Sequence, residues 1–292
     1  MDAHTYIPQV QVRSKGVILY DLPDPPLMHR RHDLRRHETY TGTVTDHAAK
    51  RIKRTVDVFL QKSPTRRIYN PVVEAFHDFR LSFITLTISA NERVSGKDGR
   101  EALKVFIQHF RRKPSAKSKS EQLTSYLWKA ELQERGQLHY HITANRFLHY
   151  VEIQGVWNGI QKNRGWLDDF YKKEGRYNAN STDVHAVYKV QDIQAYLSKY
   201  LAKQQFKDLS ECGHLSPQYQ ETIGGKVWDC SQDLKIPRFS SELDSETDLR
   251  LWQIAKSDPD KKRKFDRCTF IECNPAAILS KSILQSYEQW KI

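Results

Sequence analysis

Two histidines, His139 and His141, stand two residues apart in the segment GQLHYHIT. Its alternation of apolar and polar side chains is that of a β-strand. Alternation places His139, His141 and Thr143 on one face and Leu138, Tyr140 and Ile142 on the other. Imidazoles at that spacing are about 6–7 Å apart at the backbone and can converge on one ion. The preceding run YLWKAEL reads as the partner strand, joined through the turn residues Arg135 and Gly136. Packing Tyr126, Trp128, Ala130 and Leu132 into the core leaves Glu131 beside the two histidines. A set of His139, His141 and Glu131 leaves coordination positions open for substrate oxygens, as a catalytic metal requires. Mixed imidazole and carboxylate ligation suits Mn²⁺, with Mg²⁺ as the competitor in cells. A pair of solvent-exposed histidines on an edge strand is the alternative reading, and strand parity leaves it open.

A second constellation lies in AYLSKYLAK. Tyr196 and Tyr200 are four residues apart and share one helical face, and Lys199 and Lys203 repeat the spacing. Ile193, Leu197 and Leu201 already supply an apolar stripe. The tyrosines therefore sit beside the core, with hydroxyls that can point toward the histidine face. Core tyrosines on an amphipathic helix are the competing account.

Elements that would position these residues can be read from period and punctuation. LSFITLTIS (81–89) alternates as a strand, with Ile84, Leu86 and Ile88 apolar and Thr85 and Thr87 facing the other way. REALKVFIQHFRR (100–112) and HYVEIQGVWNGIQKN (149–163) carry helical spacing. TDVHAVYKV (182–190) reads as a strand, QDIQAYLSKYLAKQ (191–204) as a helix and SSELDSETDLRLWQIAKS as a capped helix. Residues 1 to about 45, with Pro8, Pro23, Pro25 and Pro26, read as an extended basic arm. The basic amphipathic helix HAAKRIKRTVDVFLQK (47–62) follows. Strands alternate with helices around an antiparallel hairpin, which argues an α+β fold with helices on one side of the sheet. The expected division is an arm and helix over 1–75, a central domain over 76–210 and a C-terminal extension of uncertain role over 211–292.

The chain has 292 residues and a formal charge of +12, which points to a polyanionic partner. Basic residues dominate between Met28 and Arg54, and acids dominate between Gln204 and Asp260. Arg51, Lys53 and Arg54, with Arg111, Arg112, Lys113, Lys117 and Lys119 in a basic loop, are candidates for phosphate contacts. Any one of them also reads as part of a solvated basic face. Four cysteines without a CxxC pair suggest no disulfide framework, and Cys212 near His214 is only a faint metal hint. No Walker A pattern surrounds Gly224, Gly225 and Lys226. No apolar run would span a bilayer and no signal peptide is evident, so a cytoplasmic location without membrane contact is expected.

FITLTIS, ELQERGQLHYHIT and YLSKYLAK, in that order, resemble the three motifs of the HUH endonuclease superfamily. The likeness is to two-tyrosine rolling-circle replication initiators of single-stranded DNA phages and plasmids. It covers roughly residues 80–205, and KVWDCSQDL (226–234) resembles a trailing strand of such proteins. The resemblance implies a palm-like (RRM-like) central antiparallel sheet with flanking helices, the histidines on a central strand and the catalytic tyrosines on a helix. It implies that His139 and His141 bind Mg²⁺ or Mn²⁺, with Glu131 as third ligand and Glu134 as a weaker candidate. It further implies that Tyr196 and Tyr200 are nucleophiles assisted by Lys199 and Lys203. The implied reaction nicks single-stranded origin DNA, in a hairpin or melted duplex, to give a 5′-phosphotyrosine and a free 3′-OH, and later rejoins strands. A bacterial host cell, with its helicase and polymerase, is the implied setting.

Three other readings compete. A mobilisation relaxase of the same superfamily commonly carries a third histidine and an N-terminal nucleophile, whereas here the tyrosines follow the histidines. A two-tyrosine transposase fits the same motifs. A non-catalytic module would bind single strands on exposed aromatics, but would have no use for the histidines, Glu131 and tyrosines together.

Overall fold

The computed structural model describes residues 5–24, 46–70, 73–112, 124–133, 136–187, 197, 223 and 225–292. In chain order its elements are β1 (Thr5–Arg13), β2 (Gly16–Asp24), α1 (Asp46–Lys62), β3 (Arg66–Asn70), β4 (Ala75–Phe79), β5 (Ser82–Thr87) and α2 (Gly96–Arg111). They continue with β6 (Tyr126–Leu132), β7 (Leu138–Ala144), α3 (Tyr150–Lys162), α4 (Asp168–Glu174), β8 (Thr182–Ala186) and β9 (Trp228–Cys230). The last are β10 (Ser240–Glu242), α5 (Ser245–Ser257), β11 (Lys262–Phe265), β12 (Cys268–Glu272), α6 (Pro275–Ile278) and α7 (Lys281–Lys291). The architecture is α+β, with antiparallel sheets flanked by helices. It divides into one unit of Met1–Glu38, Asp57–Lys62 and Ile236–Ile292 and another of Thr39–Val56 and Ser63–Lys235.

The larger unit is built on a five-stranded sheet in the order β8-β5-β7-β6-β9, so the histidine strand β7 is third of five. Strand alternation sends Ile84, Leu86, Trp128, Ala130, Tyr140 and Ile142 to one face, where all are buried. Leu103, Phe106 and Phe110 of α2 and Ile153 and Trp157 of α3 are buried with them. Phe106 and Trp157 meet edge to face at 6.0 Å. Each large apolar side chain so buried contributes about 1.5–3 kcal/mol. Helix α2 begins at Ser95, whose side chain accepts from the Asp98 amide, a cap of about 1 kcal/mol. It runs close over β7 because Gly99 has no Cβ: one there would stand 2.6 Å from the Leu138 Cδ1 and Tyr140 hydroxyl atoms. The Trp157 indole donates to the Thr87 carbonyl at 2.8 Å, which ties α3 to the end of β5. The β6–β7 turn closes at Gly136, whose φ of 76° suits glycine and whose amide donates to the Gln133 carbonyl. A separate hairpin, β3–β4, had no counterpart in the sequence reading.

The smaller unit corrects one expectation. Residues 5–24 are not an extended arm but the β1–β2 hairpin, inside a sheet ordered β10-β1-β2-β12-β11. The prolines misled because Pro8 lies beyond the Gln9–Gln11 stretch that β10 pairs, where a missing N–H costs no bond on that side. Val10, Val12, Val17 and Ile271 pack with Leu251 of α5, Leu279, and Ile283 and Tyr287 of α7. Asp57 of α1, 1% exposed, accepts from Arg238 at 2.8 Å, from the Ser14 amide at 3.0 Å, and from Gln61 and Arg13. The boundaries at 75 and 210 differ from this division, which joins the first strands to the last.

Helix α5 matches the expected capped helix, with Asp244 accepting from the Thr247 amide. Among the described residues Cys230, Cys268 and Cys273 are free thiols, and no helix is long and apolar enough to cross a membrane.

Candidate active site

The face of the large sheet opposite its core is written by odd-numbered residues. Register places Glu131 and Thr87 on either side of His139, and Lys129 and Thr85 on either side of His141. The two rings are 4.5 Å apart between centroids. Each turns its Nδ1 to a threonine: Thr87 Oγ1 is 3.0 Å from His139 and Thr85 Oγ1 is 3.3 Å from His141. With a metal bound, a proton on Nδ1 donated to the hydroxyl would leave the lone pair on Nε2 free for it, the tautomer that a metal ligand needs. The Gln133 side-chain amide also lies 3.3 Å from His139 Nδ1.

On the other side the carboxylate of Glu131 is held by two partners. Its Oε1 accepts from Lys129 Nζ at 2.6 Å, and its Oε2 lies 3.3 Å from His141 Nε2. Burial by itself would raise the Glu131 pKa. The hydrogen bond with His141 and the charge and hydrogen bond of Lys129 outweigh that and hold it at about 2. Burial, reinforced by the neighbouring His141 and partly offset by Glu131, lowers His139 to about 4, so its ring is neutral at physiological pH.

The donor types fit a borderline divalent ion. Adjacent ligand atoms around an ion bound at about 2.1 Å lie roughly 3.0–3.4 Å apart, which is the separation of His141 Nε2 and Glu131 Oε2. The set is not closed, because Lys129 occupies Glu131 Oε1. Among the described residues no three His, Cys, Asp or Glu side chains stand together as a ready metal group.

Toward β8 the same face continues with aromatic rings. Phe83 stacks on His141 at 5.2 Å and meets His185 at 5.2 Å, and Asp183 lies 3.7 Å from His185. Toward β9, Trp228 stands in register with Lys129, and Arg51 of α1 lies over its ring at 5.5 Å. The middle of the face is covered: Phe83, Leu127, Lys129 and Thr143 are buried. A cavity of about 520 Å³ opens between β8 and the start of α3, lined by Phe147, His149, Tyr150 and Asn180 among others. It does not include the histidine pair.

The sequence-predicted residues fall into three groups. His139, His141 and Glu131 share one face, His139 in register with Glu131 and beside His141, and His141 in contact with Glu131. Arg51, Lys53, Arg54, Arg111 and Arg112 are exposed at α1 and at the end of α2, with Arg51 at the β9 edge of the histidine face. Tyr196, Tyr200, Lys199, Lys203, Glu134, Lys113, Lys117 and Lys119 lie outside the described residues; of segment 191–204 only Leu197 is described, helical and buried. Sequence reasoning passed over Lys129, Phe83, Asp183 and His185. Lys129 shares Glu131's parity, but its burial depends on what covers the face; the other three needed the β5–β8 register.

Residues 81–205 match the family model described as Replication-associated protein ORF2, a family of rolling-circle replication initiators. The match spans β5 through β8 and so contains the histidine pair, Glu131 and both tyrosines. The likeness, over less than half of the chain, is to replication-associated proteins of the rolling-circle type. No curated protein and no solved structure matches the chain.

Proposed function

We propose that the chain initiates rolling-circle replication by nicking single-stranded origin DNA, and later rejoins strands, at the histidine face. The observation that carries this reading is the paired Thr87–His139 and Thr85–His141 contact beside Glu131. That contact lies inside the segment matching the replication family.

His139, His141 and Glu131 would hold Mg²⁺ or Mn²⁺, which when bound supplies Lewis-acid stabilisation of charge on the scissile phosphate. The hydroxyls of Thr85 and Thr87 orient the imidazoles. Tyr196 or Tyr200 supplies the nucleophile: its phenolic oxygen attacks phosphorus as the bond from phosphorus to the 3′-oxygen breaks. The departing oxygen takes a proton to become a 3′-OH, and the phosphodiester survives as a 5′-phosphotyrosine. Because that bond energy is retained, attack by a 3′-OH reverses the step without ATP. A phenol with a pKa near 10 is a poor nucleophile, and Lys199 and Lys203 would favour its phenolate. Arg51, Lys53, Arg54, Arg111 and Arg112, with the lysines at 113, 117 and 119, would hold phosphates and set position rather than sequence. Host helicase and polymerase would act on the melted origin and the free 3′-OH.

The test is cleavage of labelled single-stranded fragments from the replicon in Mn²⁺ or Mg²⁺, resolved on a denaturing gel. A metal-dependent protein–DNA adduct that disappears in the Tyr196→Phe, Tyr200→Phe double variant supports the reading. Tight DNA binding without adduct on every origin-spanning fragment overturns it in favour of a non-catalytic binding module.

A further inference from the structure

Both oxygens of the Glu131 carboxylate are already engaged. Oε1 accepts from Lys129 Nζ at 2.6 Å, and Oε2 lies 3.3 Å from His141 Nε2. The lysine is no surface contact. It is 1% exposed, and Leu127 and Thr143, in the next row of the same face, are fully buried. Trp228 stands in register on its other side, with the Arg51 guanidinium over the indole at 5.5 Å. Of the other charged groups on the strands of this face, Asp183 lies at the β8 edge, exposed and 3.7 Å from His185.

A divalent ion that takes Glu131 must share the carboxylate with this buried ammonium. Two cations over one carboxylate repel, and burial removes much of the water that would screen them. Holding the carboxylate in place does not by itself call for a charge. Thr85 and Thr87 orient the two imidazoles with neutral hydroxyls. An ammonium in that role spends part of the carboxylate's charge, so an ion gains less from Glu131 than from a carboxylate held by neutral donors. The phosphodiester of a strand laid on the face brings a negative charge that attracts both cations.

We infer that Lys129 couples metal to strand: its ammonium keeps the affinity of His139, His141 and Glu131 for a divalent ion low in the free chain, and the phosphate of bound single-stranded DNA raises it. Ion and strand then load together, each raising the affinity for the other by the same factor. The inference rests on the nicking reading in taking that ion and that strand as the ligands of the face. Lys129 is a positioning residue in this scheme, acting through Glu131.

The experiment uses the full chain carrying Tyr196→Phe and Tyr200→Phe, so that no covalent adduct forms. Mn²⁺ is titrated by calorimetry into the chain alone, then into the chain saturated with the single-stranded replicon fragment that it binds most tightly. With Lys129 present, the fragment should raise Mn²⁺ affinity roughly 10- to 100-fold. Lys129→Met should tighten Mn²⁺ binding to the free chain about 10-fold and shrink the effect of the fragment about fivefold or more. Lys129→Gln, which can still donate to Glu131, should do the same and serves if the methionine variant melts early. Lys129→Arg keeps the charge and should behave as lysine does. Equal Mn²⁺ affinity with and without the fragment in the chain that retains Lys129 overturns the inference. So does a folded Lys129→Met or Lys129→Gln chain that binds Mn²⁺ no more tightly. Cleavage by the unblocked chain separates the two proposals: coupling without any adduct defeats only the nicking reading, and adducts with Mn²⁺ affinity indifferent to Lys129 defeat only this one.

Discussion

Lys129 and Glu131 sit two residues apart on one strand, and the lysine, 1% exposed, donates to the glutamate at 2.6 Å. Glu131 is thus partnered before any ion reaches it. Removing the carboxylate takes a short charge-assisted bond from a buried ammonium, a costly outcome. Glu131→Gln is expected to lower stability by roughly 2–4 kcal/mol in urea titration. Lys129→Met, which removes the charge and keeps the length, should recover much of that loss in the double variant. Equal and additive losses would show that the pair is not coupled.

The threonine contacts give a different signature. Thr85→Val and Thr87→Val keep shape while deleting the hydroxyls that meet His141 and His139. Each is expected to cost about 1 kcal/mol in stability. Each should also weaken Mn²⁺ binding by roughly 10- to 100-fold in calorimetric titration. Unaltered metal affinity in both variants would remove the threonines from the site.

Much of this was legible beforehand because a strand's period of two is strict. Once GQLHYHIT is a strand and YLWKAEL its partner, Glu131 must share a face with His139 and His141, whatever else the chain does. The β1–β2 hairpin was not legible, since its partners β10 and β12 lie more than two hundred residues away and local reading sees only the prolines. Strand parity alone puts Lys129 on the face of Glu131, but nothing local distinguishes a solvated lysine from a buried one. The tyrosine helix stands where the sequence left it, as a pattern of spacing.

Asp57 tests the smaller unit. With Arg13, Arg238, Gln61 and the Ser14 amide all donating to one carboxylate, Asp57→Ala removes an acceptor shared by two guanidinium groups and a part-buried amide. A loss of about 3–5 kcal/mol is expected. Thermal melting should show it as an earlier transition, and a variant melting like the parent would refute the role.

Two thiols report on burial. Desolvation, with help from Asp229, raises Cys230 to about 11, and desolvation likewise raises Cys273 to about 11. An unfolded thiol titrates near 8.5, so the folded state holds these protons longer. Their contribution to stability is full below about pH 8.5 and is lost as pH rises toward 11. At pH 8 iodoacetamide should therefore alkylate Cys230 and Cys273 in the native chain far more slowly than in urea. Equal rates would mean that the thiols are not sequestered.

The smaller unit also imposes an order of assembly during synthesis. Its hairpin β1–β2 leaves the ribosome long before β10 and β12, and Gln11 reaches Ser240 and Leu19 reaches Thr269 only once those residues exist. At roughly 5–20 residues per second, the hairpin waits on the order of ten seconds to a minute for its neighbours. Every strand of the histidine-bearing sheet is made in that interval. A transcript cut short after residue 235 would release a chain with that sheet but with an unpartnered hairpin, whose bare edges invite capture by quality control. The sheet of the smaller unit is thus complete only once translation has passed β12.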